Sequence, residues 1–172
     1  MIKSVAEAYS YSTVTPDTAI DAYGLDINGK RKPFQTLENI RRVCIREPIF
    51  STGVWYDEFL DRMMTGDPAR EWTDSDDTGA TLFMARHAGM TSIRTTQVRE
   101  VLYHCCRQYP RHVVRDWIGK LSWDGVERIE YALEQYWGVT VTDRLPEDYV
   151  RAASRNFFVG LVARVQEPGC QL

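Results

Sequence analysis

Two neighbouring stretches decide the fold of this chain: WTDSDDTGATLFMARHAG over residues 72–89 and TSIRTTQVREVLYHCCRQYP over residues 91–110. The first has Thr73 as a helix cap and acids in its opening turns, and it ends at Gly89. The second carries apolar residues at i, i+3, i+4 and i+7, which form one face of a helix, and Pro110 ends it. The pattern therefore predicts two successive helices joined by a turn that contains glycine.

The segments on either side extend this helical pattern. Upstream, TLENIRRVCIREP predicts a helix that begins after Thr36 and ends at Pro48. Residues 54–64 combine Val, Trp, Tyr and Phe with a polar centre, and they predict a short β-hairpin. Three further helical patterns follow at residues 112–121, 122–138 and 149–166. The predicted fold class is mainly α (α+β), with about six helices and one small β-hairpin.

The composition is that of a globular protein. Of the 172 residues, 44% are hydrophobic and 26% are charged, which argues against disorder. The formal net charge is −3, which excludes a wholly basic nucleic-acid binder but allows a local basic face.

Cysteine usage and hydropathy predict the compartment. Cys44, Cys105, Cys106 and Cys170 form no C-x-x-C pair, and they are typical of reduced, mostly buried thiols. The first residues lack the apolar core of a signal peptide, and no run approaches the roughly 18 apolar residues of a membrane span. We therefore expect a cytoplasmic protein with no membrane partner.

Residues 1–34 are polar and weakly patterned, and they predict a loosely ordered N-terminal arm. A turn signal, Asn28-Gly29, precedes the basic trio Lys30, Arg31 and Lys32. The trio is either a phosphate contact or a solvated turn. Residues 35–145 are predicted as a helical domain with the hairpin, and residues 146–172 as a separate last helix.

The helix pair at residues 73–109 has two interpretations. Beside a β-hairpin, it could be a winged-helix-like or helix-turn-helix arrangement whose second helix reads DNA. The alternative is an ordinary capped surface helix. Under the first interpretation the candidate nucleic-acid contacts are Arg94, Thr96 and Arg99 at the start of the second helix, with Lys30, Arg31 and Lys32.

Two clusters invite a catalytic or metal interpretation, and neither is favoured. Asp74, Asp76 and Asp77 could ligate Mg²⁺, but the unpaired N–H groups at a helix start explain acids there more simply. The histidines and cysteines between residues 87 and 112 match no zinc spacing. We therefore expect no catalytic residue, no metal site and no cofactor.

Aromatic side chains are expected in the core. Trp117 and Trp123 each lie beside an apolar helix face, and each is predicted to anchor the core. Asp124-Gly125 predicts a tight turn.

The stretch HVVRDWIGKLSWDGVERIEYALEQYWG, residues 112–138, resembles the virulence-associated protein E family. That family comprises replication proteins of the primase–helicase type, encoded by phages and genomic islands. Further similar segments occur in the same order: TLENI, YDEF, WTDSDD and YVRAASRNFFVGLVARVQEPGCQ. The resemblance covers residues 35–172.

The resemblance implies a role for the last helix. In the family, the Pro-Gly-Cys turn leads into a strand and the P-loop of an ATPase domain. This sequence contains no G-x-x-x-x-G-K-[ST] motif. Residues 146–172 are therefore expected to be the lead-in helix to a missing P-loop ATPase domain. ATP and Mg²⁺ are expected only if a downstream P-loop domain completes the chain, and hydrolysis is not carried over.

The expected function follows from the resemblance. We expect a non-catalytic fragment or accessory module of a mobile-element primase–helicase, contributing DNA binding or assembly. The alternative is a protein–protein interaction or oligomerisation module without DNA affinity, whose partner is an ATPase domain or a second copy. Its surface would be the apolar side of the last helix: Phe157, Phe158, Leu161 and Val165.

Overall fold

The computed structural model describes residues 14–170 and divides the chain into two compact units. The first unit ends at His112 and the second begins at Val113. The sequence analysis placed boundaries at residues 34 and 145 instead, and that division stays a prediction.

Three helices open the first unit: α1 over Pro16–Tyr23, α2 over Leu37–Arg46 and α3 over Pro48–Ser51. The Thr36 hydroxyl accepts the backbone N–H of Asn39 at 3.3 Å, so Thr36 caps α2 as predicted. Pro48 occupies the first position of α3. A backbone N–H at that position would have no acceptor within the helix, so the lack of one in proline costs no hydrogen bond. The predicted end of α2 at this proline is confirmed.

A three-stranded antiparallel sheet follows, with β1 (Val54–Asp57), β2 (Arg62–Thr65) and β3 (Arg70–Glu71) in that order. Strands β1 and β2 form the predicted hairpin. The Asp57 carboxylate accepts the N–H groups of Phe59 at 2.9 Å and Leu60 at 3.1 Å, which fixes the connecting turn. Strand β3 was not predicted, because two charged residues give no strand pattern.

The predicted helix pair forms α4 (Asp74–His87) and α5 (Thr95–Arg107). Helix α5 packs against α4, α2 and β1. Gly89, at a φ of +68°, supplies the left-handed residue that turns the chain after α4. The pair therefore lies at the centre of the first unit.

Asp76 joins the start of α4 to β3. Its carboxylate accepts the N–H of Thr73 at 2.9 Å, and the Arg70 guanidinium donates to both of its oxygens at 2.7 and 2.6 Å. Burial alone raises the pKa of the Asp76 carboxyl, but the hydrogen bonds from Arg70 and Thr73 outweigh burial and hold the pKa below 3.8. Asp74, Asp76 and Asp77 all lie in the first turn of α4, where the helix-start interpretation placed them.

The core of the first unit is formed mainly by α2, α4 and α5. Its fully buried apolar side chains include Ile40, Val43, Phe83, Met84, Val98 and Leu102. The Phe50 and Phe83 rings meet edge to face, with their centroids 5.2 Å apart. Each side chain of this size contributes about 1.5–3 kcal/mol by leaving water.

The segment before α2 is held more firmly than the sequence predicted. Ala19 and Tyr23 of α1 and the following Leu25 are buried in the core, and the Tyr23 hydroxyl donates to Glu47 at 2.6 Å. From residue 16 onward the predicted loose arm is therefore packed structure, while its residues 1–13 lie outside the described residues. A helix of eight residues is too short for periodicity to reveal.

The second unit contains α6 (Val113–Ile118), α7 (Ala132–Trp137) and α8 (Glu147–Gln166). Both shorter helices pack on α8. The Ser154 hydroxyl donates to the Ile129 carbonyl, and Arg155 pairs with Glu130. Ala132 and Val150 are the buried apolar side chains of this unit among its described residues.

The described part of the chain confirms the predicted class, mainly α with a small hairpin sheet. It forms eight helices, and the two beyond the predicted set are the short α1 and α3. Within residues 14–170, no helix has both the length and the apolar character that crossing a bilayer demands.

Replacing Asp76 with Ala should lower the free energy of unfolding by about 1–2 kcal/mol, because the cap is lost and Arg70 loses its partner. Since the folded-state pKa of Asp76 is lowered, its contribution is complete above about pH 4 and is lost as the pH falls through the folded-state pKa. Urea unfolding at pH 7 and at pH 3 measures both effects.

Asp74→Ala is the matched control, since the Asp74 side chain is 94% exposed and its pair with Arg99 is a surface one. Equal destabilisation by the two substitutions at pH 7 would contradict the role given to Asp76.

Candidate nucleic-acid interface

The basic trio lies on a tight turn that Asn28 orders. The Asn28 side-chain oxygen accepts the backbone N–H groups of Lys30 at 2.9 Å and Lys32 at 3.0 Å. Arg31, between them, has a left-handed φ of +55°. All three basic side chains are exposed. The turn therefore presents three positive charges from a defined backbone.

Two contacts join this turn to the segment before α5. The Gln35 side-chain oxygen accepts the N–H of Ser92 at 3.1 Å. A β-carbon added to Gly89 would lie 3.6 Å from the Pro33 ring, so Gly89 lies close to this proline. Pro33 directly follows the basic trio, and Ser92 lies two residues before Arg94. The basic turn and the start of α5 therefore lie on neighbouring segments.

The start of α5 is open to solvent. Arg94 is the N-cap residue, and its N–H donates to the Gln97 side chain at 2.9 Å. Arg94, Thr95 and Thr96 are exposed, and no carboxylate of residues 14–170 forms an ion pair with Arg94. Guanidinium, hydroxyl and first-turn N–H groups are the donors that phosphate oxygens accept. This end of the helix can therefore bind an anion.

The Arg99 guanidinium forms ion pairs with two carboxylates of the protein. Its guanidinium lies 3.1 Å from the Asp74 carboxylate and 3.3 Å from the buried Asp77 carboxylate. The pair with the exposed Asp74 contributes about 0–1 kcal/mol, whereas breaking the pair with Asp77 would take a donor from a buried carboxylate. The charge of Arg99 is balanced by two acids, and Arg99 adds less positive potential than Arg94.

The histidines of the predicted cluster have separate partners. His87 Nδ1 lies 2.9 Å from the Val14 carbonyl, and His104 Nε2 lies 3.0 Å from the Gln108 amide. His112 is buried elsewhere in the unit. Among the described residues, no three His, Cys, Asp or Glu side chains are grouped so as to hold a metal ion.

The cysteines within the first unit are packing residues. Cys44, Cys105 and Cys106 are free thiols, and Cys44 is fully buried. Burial raises the pKa of Cys44 well above its ordinary value, and it raises the pKa of Cys106 to about 11. Thiols held protonated at neutral pH are poor nucleophiles and metal ligands.

The prediction for the two tryptophans was wrong. Trp117 is 61% exposed and Trp123 is 79% exposed, so neither anchors a core. Helix α6 packs on α8, but this contact leaves none of its residues fully buried. The predicted turn is confirmed, since the Asp124 carboxylate accepts the N–H of Val126 at 3.1 Å. The hydrogen bond from Arg128 lowers the pKa of Asp124 to about 2.

Helix α8 also exposes apolar side chains. Phe157 is 49% exposed and Leu161 is 48% exposed, as predicted, while Phe158 and Val165 are half-buried. The Trp137 ring contacts Phe157 and Phe158 with centroid distances of 6.2 and 5.9 Å. An aromatic surface therefore runs from α7 to α8 within the second unit.

Sequence reasoning missed the residues that position the basic surface. The Asn28-Gly29 pair was recognised as a turn signal, but the bonds from Asn28 to the trio were not foreseen. The Gln35–Ser92 bond joins residues 57 positions apart, and no local pattern reports such a contact. Nothing in the sequence around Gln35 or Ser92 distinguishes these two residues from other polar residues in turns.

Comparison with known families gives one match. The family model of the virulence-associated protein E-like domain matches residues 118–172, which lie inside the second unit and confirm the predicted resemblance. Residues 35–117, for which similar segments were also noted, lie outside the match. A search of curated proteins found no match.

Replacing Gly89 with Ala should lower the free energy of unfolding by about 1–2 kcal/mol, because an L-residue is strained at this left-handed φ. The added methyl also meets Pro16 at 3.4 Å. Chemical denaturation measures the effect. Gly29→Ala is the control, since its β-carbon meets open space, and a loss at position 29 as large as at position 89 would contradict this explanation.

Proposed function

We propose that this chain, whose residues 118–172 match the model of the virulence-associated protein E-like domain, is an accessory module of a mobile-element DNA replication primase–helicase that contributes DNA binding. The family is associated with mobile genetic elements, and this association supports a role in the replication of such an element. The first unit is the part that binds DNA. The second unit attaches this binding part to the replication machinery.

One observation carries the assignment of DNA binding. The basic turn and the start of α5 are joined by the Gln35–Ser92 bond and by the close approach of Gly89 to Pro33. We name the resulting set the α5 basic surface, and it consists of Lys30, Arg31, Lys32, Arg94 and Thr96. Four cations that form no ion pair with any described carboxylate lie on neighbouring segments, and they form a local positive field on a chain whose net charge is −3.

The chemistry of this surface predicts backbone contacts. Lysine and arginine side chains bind phosphate oxygens, and each phosphate they neutralise releases condensed counterions. Four such contacts give a plot of log affinity against log salt with a slope of about −3 to −4. Contacts of this kind position a protein on DNA without reading its sequence.

Replacing Lys30, Lys32 and Arg94 with Gln together should reduce the salt slope to about −1, because three of the four phosphate contacts are lost. Glutamine keeps the length of the side chains, and Arg31 is left in place because its backbone is left-handed. Fluorescence anisotropy of labelled DNA over a range of KCl concentrations measures the slope.

Arg62→Gln is the matched control for charge. Arg62 is an exposed arginine of the same unit, and it is already paired with Glu71 at 2.6 Å. A wild-type slope near zero, or an unchanged slope in the triple variant, would count against DNA binding through the α5 basic surface.

A second candidate function has its own support. The second unit exposes Trp117, Trp123, Phe157 and Leu161 by about half or more of their surface, and large apolar side chains exposed together are typical of protein interaction sites. This favours a protein–protein interaction or oligomerisation module without DNA affinity. The partner would be an ATPase domain or a second copy of the chain.

Replacing Leu161 with Lys should abolish self-association if a second copy covers α8, because the new charge would be buried at the interface. Sedimentation velocity at increasing protein concentration measures the change. Asn156→Lys is the control, since it places the same residue at an exposed polar position of the same helix. A wild-type chain that stays monomeric at high concentration would contradict oligomerisation through this surface.

A further inference from the structure

A cavity of about 250 Å³ opens in the first unit beside the C-terminal end of α5. Its inner lining is apolar and includes the buried Cys44, Phe50 and Leu102. Its outer lining can make hydrogen bonds and stack, and it consists of Trp55, Gln108, Tyr109 and Arg111. We name these four outer residues and the space behind them the aromatic cleft. Its size suits one planar ring system rather than a drug-sized ligand of about 300–1,000 Å³.

Arg111 lines the cleft, and no described carboxylate forms an ion pair with its guanidinium. The backbone of Arg111 is fixed, because its N–H donates to the Tyr56 carbonyl at 2.8 Å and its carbonyl accepts the N–H of Glu58 at 2.9 Å. The guanidinium lies over the Trp55 ring at 4.8 Å and reaches the Thr52 carbonyl at 3.4 Å. Within residues 14–170 no carboxylate pairs with it, so its remaining donors are available to an anion.

The aromatic groups of the cleft are also incompletely used. Tyr109 is 82% exposed, and its ring meets no other ring of the described residues. The indole N–H of Trp55 is buried and has no acceptor in the described part of the chain. A buried donor without a partner carries a free-energy cost that an incoming acceptor would remove. Exposed aromatic faces beside a guanidinium are the means by which proteins bind unpaired bases.

We infer that the aromatic cleft takes one unpaired base of single-stranded DNA, with Tyr109 stacking on the base and Arg111 binding the adjacent phosphate. This inference rests on the proposed DNA-binding function and names the form of DNA and the site. The Gln108 side-chain oxygen offers an acceptor to the edge of the base, and the buried Trp55 N–H would gain a partner there. A base inside a duplex is stacked on both faces and paired along one edge, so it cannot enter the cleft without leaving the helix.

The test uses the full chain and three labelled DNAs of equal length: a thymidine single strand, a duplex, and an abasic strand that keeps only the sugar-phosphate backbone. Anisotropy should show tighter binding of the thymidine strand than of the abasic strand or the duplex. Tyr109→Ala should weaken binding of the thymidine strand by roughly 5- to 100-fold and leave the abasic strand unchanged. Tyr109→Phe, which keeps the ring, should bind like the wild type.

Two further variants complete the design. Arg111→Gln should weaken both the thymidine and the abasic strand and reduce the salt slope by about one, as the loss of a phosphate contact requires. Tyr136→Ala removes another exposed tyrosine, 68% accessible and outside the cleft, and should change nothing. Because Tyr109 is so exposed, its replacement should leave the melting temperature unaltered.

The outcomes separate the two hypotheses. If DNA binds but the abasic strand or the duplex binds as tightly as the thymidine strand, or Tyr109→Ala has no effect, the cleft inference is overturned and the proposed DNA binding stands. If thymidine monophosphate displaces the strand at an equal nucleotide concentration, the cleft is a free-nucleotide site and the inference is again wrong. If no DNA binds at low salt, the proposed function itself fails.

Discussion

Two buried carboxylates at the start of α4 hold the elements of the first unit in one arrangement. Asp76 accepts two hydrogen bonds from Arg70 on β3, while Asp77 accepts one from the Trp72 indole at 2.7 Å and lies 3.3 Å from Arg99 on α5. Buried carboxylates are unfavourable unless donors surround them, so each must keep its partners. The sheet, α4 and the first turns of α5 are thereby fixed together.

The two units differ in how much of their apolar surface they bury. The first unit covers its apolar side chains with α2, α4, α5 and the sheet, and it leaves cations and aromatic rings at the two ends of α5. The second unit buries Ala132 and Val150 but leaves Trp117 and Trp123 in solvent among its described residues. A unit that buries little apolar surface gains little stability from it. This contrast supports binding by the first unit and attachment by the second, where the family match lies.

The net charge of this protein does not reveal how charge is distributed over its surface. A chain of net charge −3 still places Lys30, Lys32 and Arg94 on neighbouring segments, while the acids Asp76 and Asp77 are buried among their own donors. Because these acids are buried and paired, a local surface can be positive although the whole chain carries a net negative charge. In the same way, no described carboxylate pairs with Arg111 in the aromatic cleft, whereas Arg99 is paired with Asp74 and Asp77.

The sequence by itself determined the class of the fold, the caps at Thr36 and Thr73 and the hairpin, because caps, periodicity and turn chemistry act between residues a few positions apart. It also carried the family resemblance. It failed at Trp117, since periodicity shows which face of a helix is apolar but not whether another element covers that face. Only the tertiary structure decided that Gln35 binds Ser92 and that Arg99 is balanced by acids from α4. Such contacts join residues that are distant in the chain, and local pattern carries no record of a distant partner.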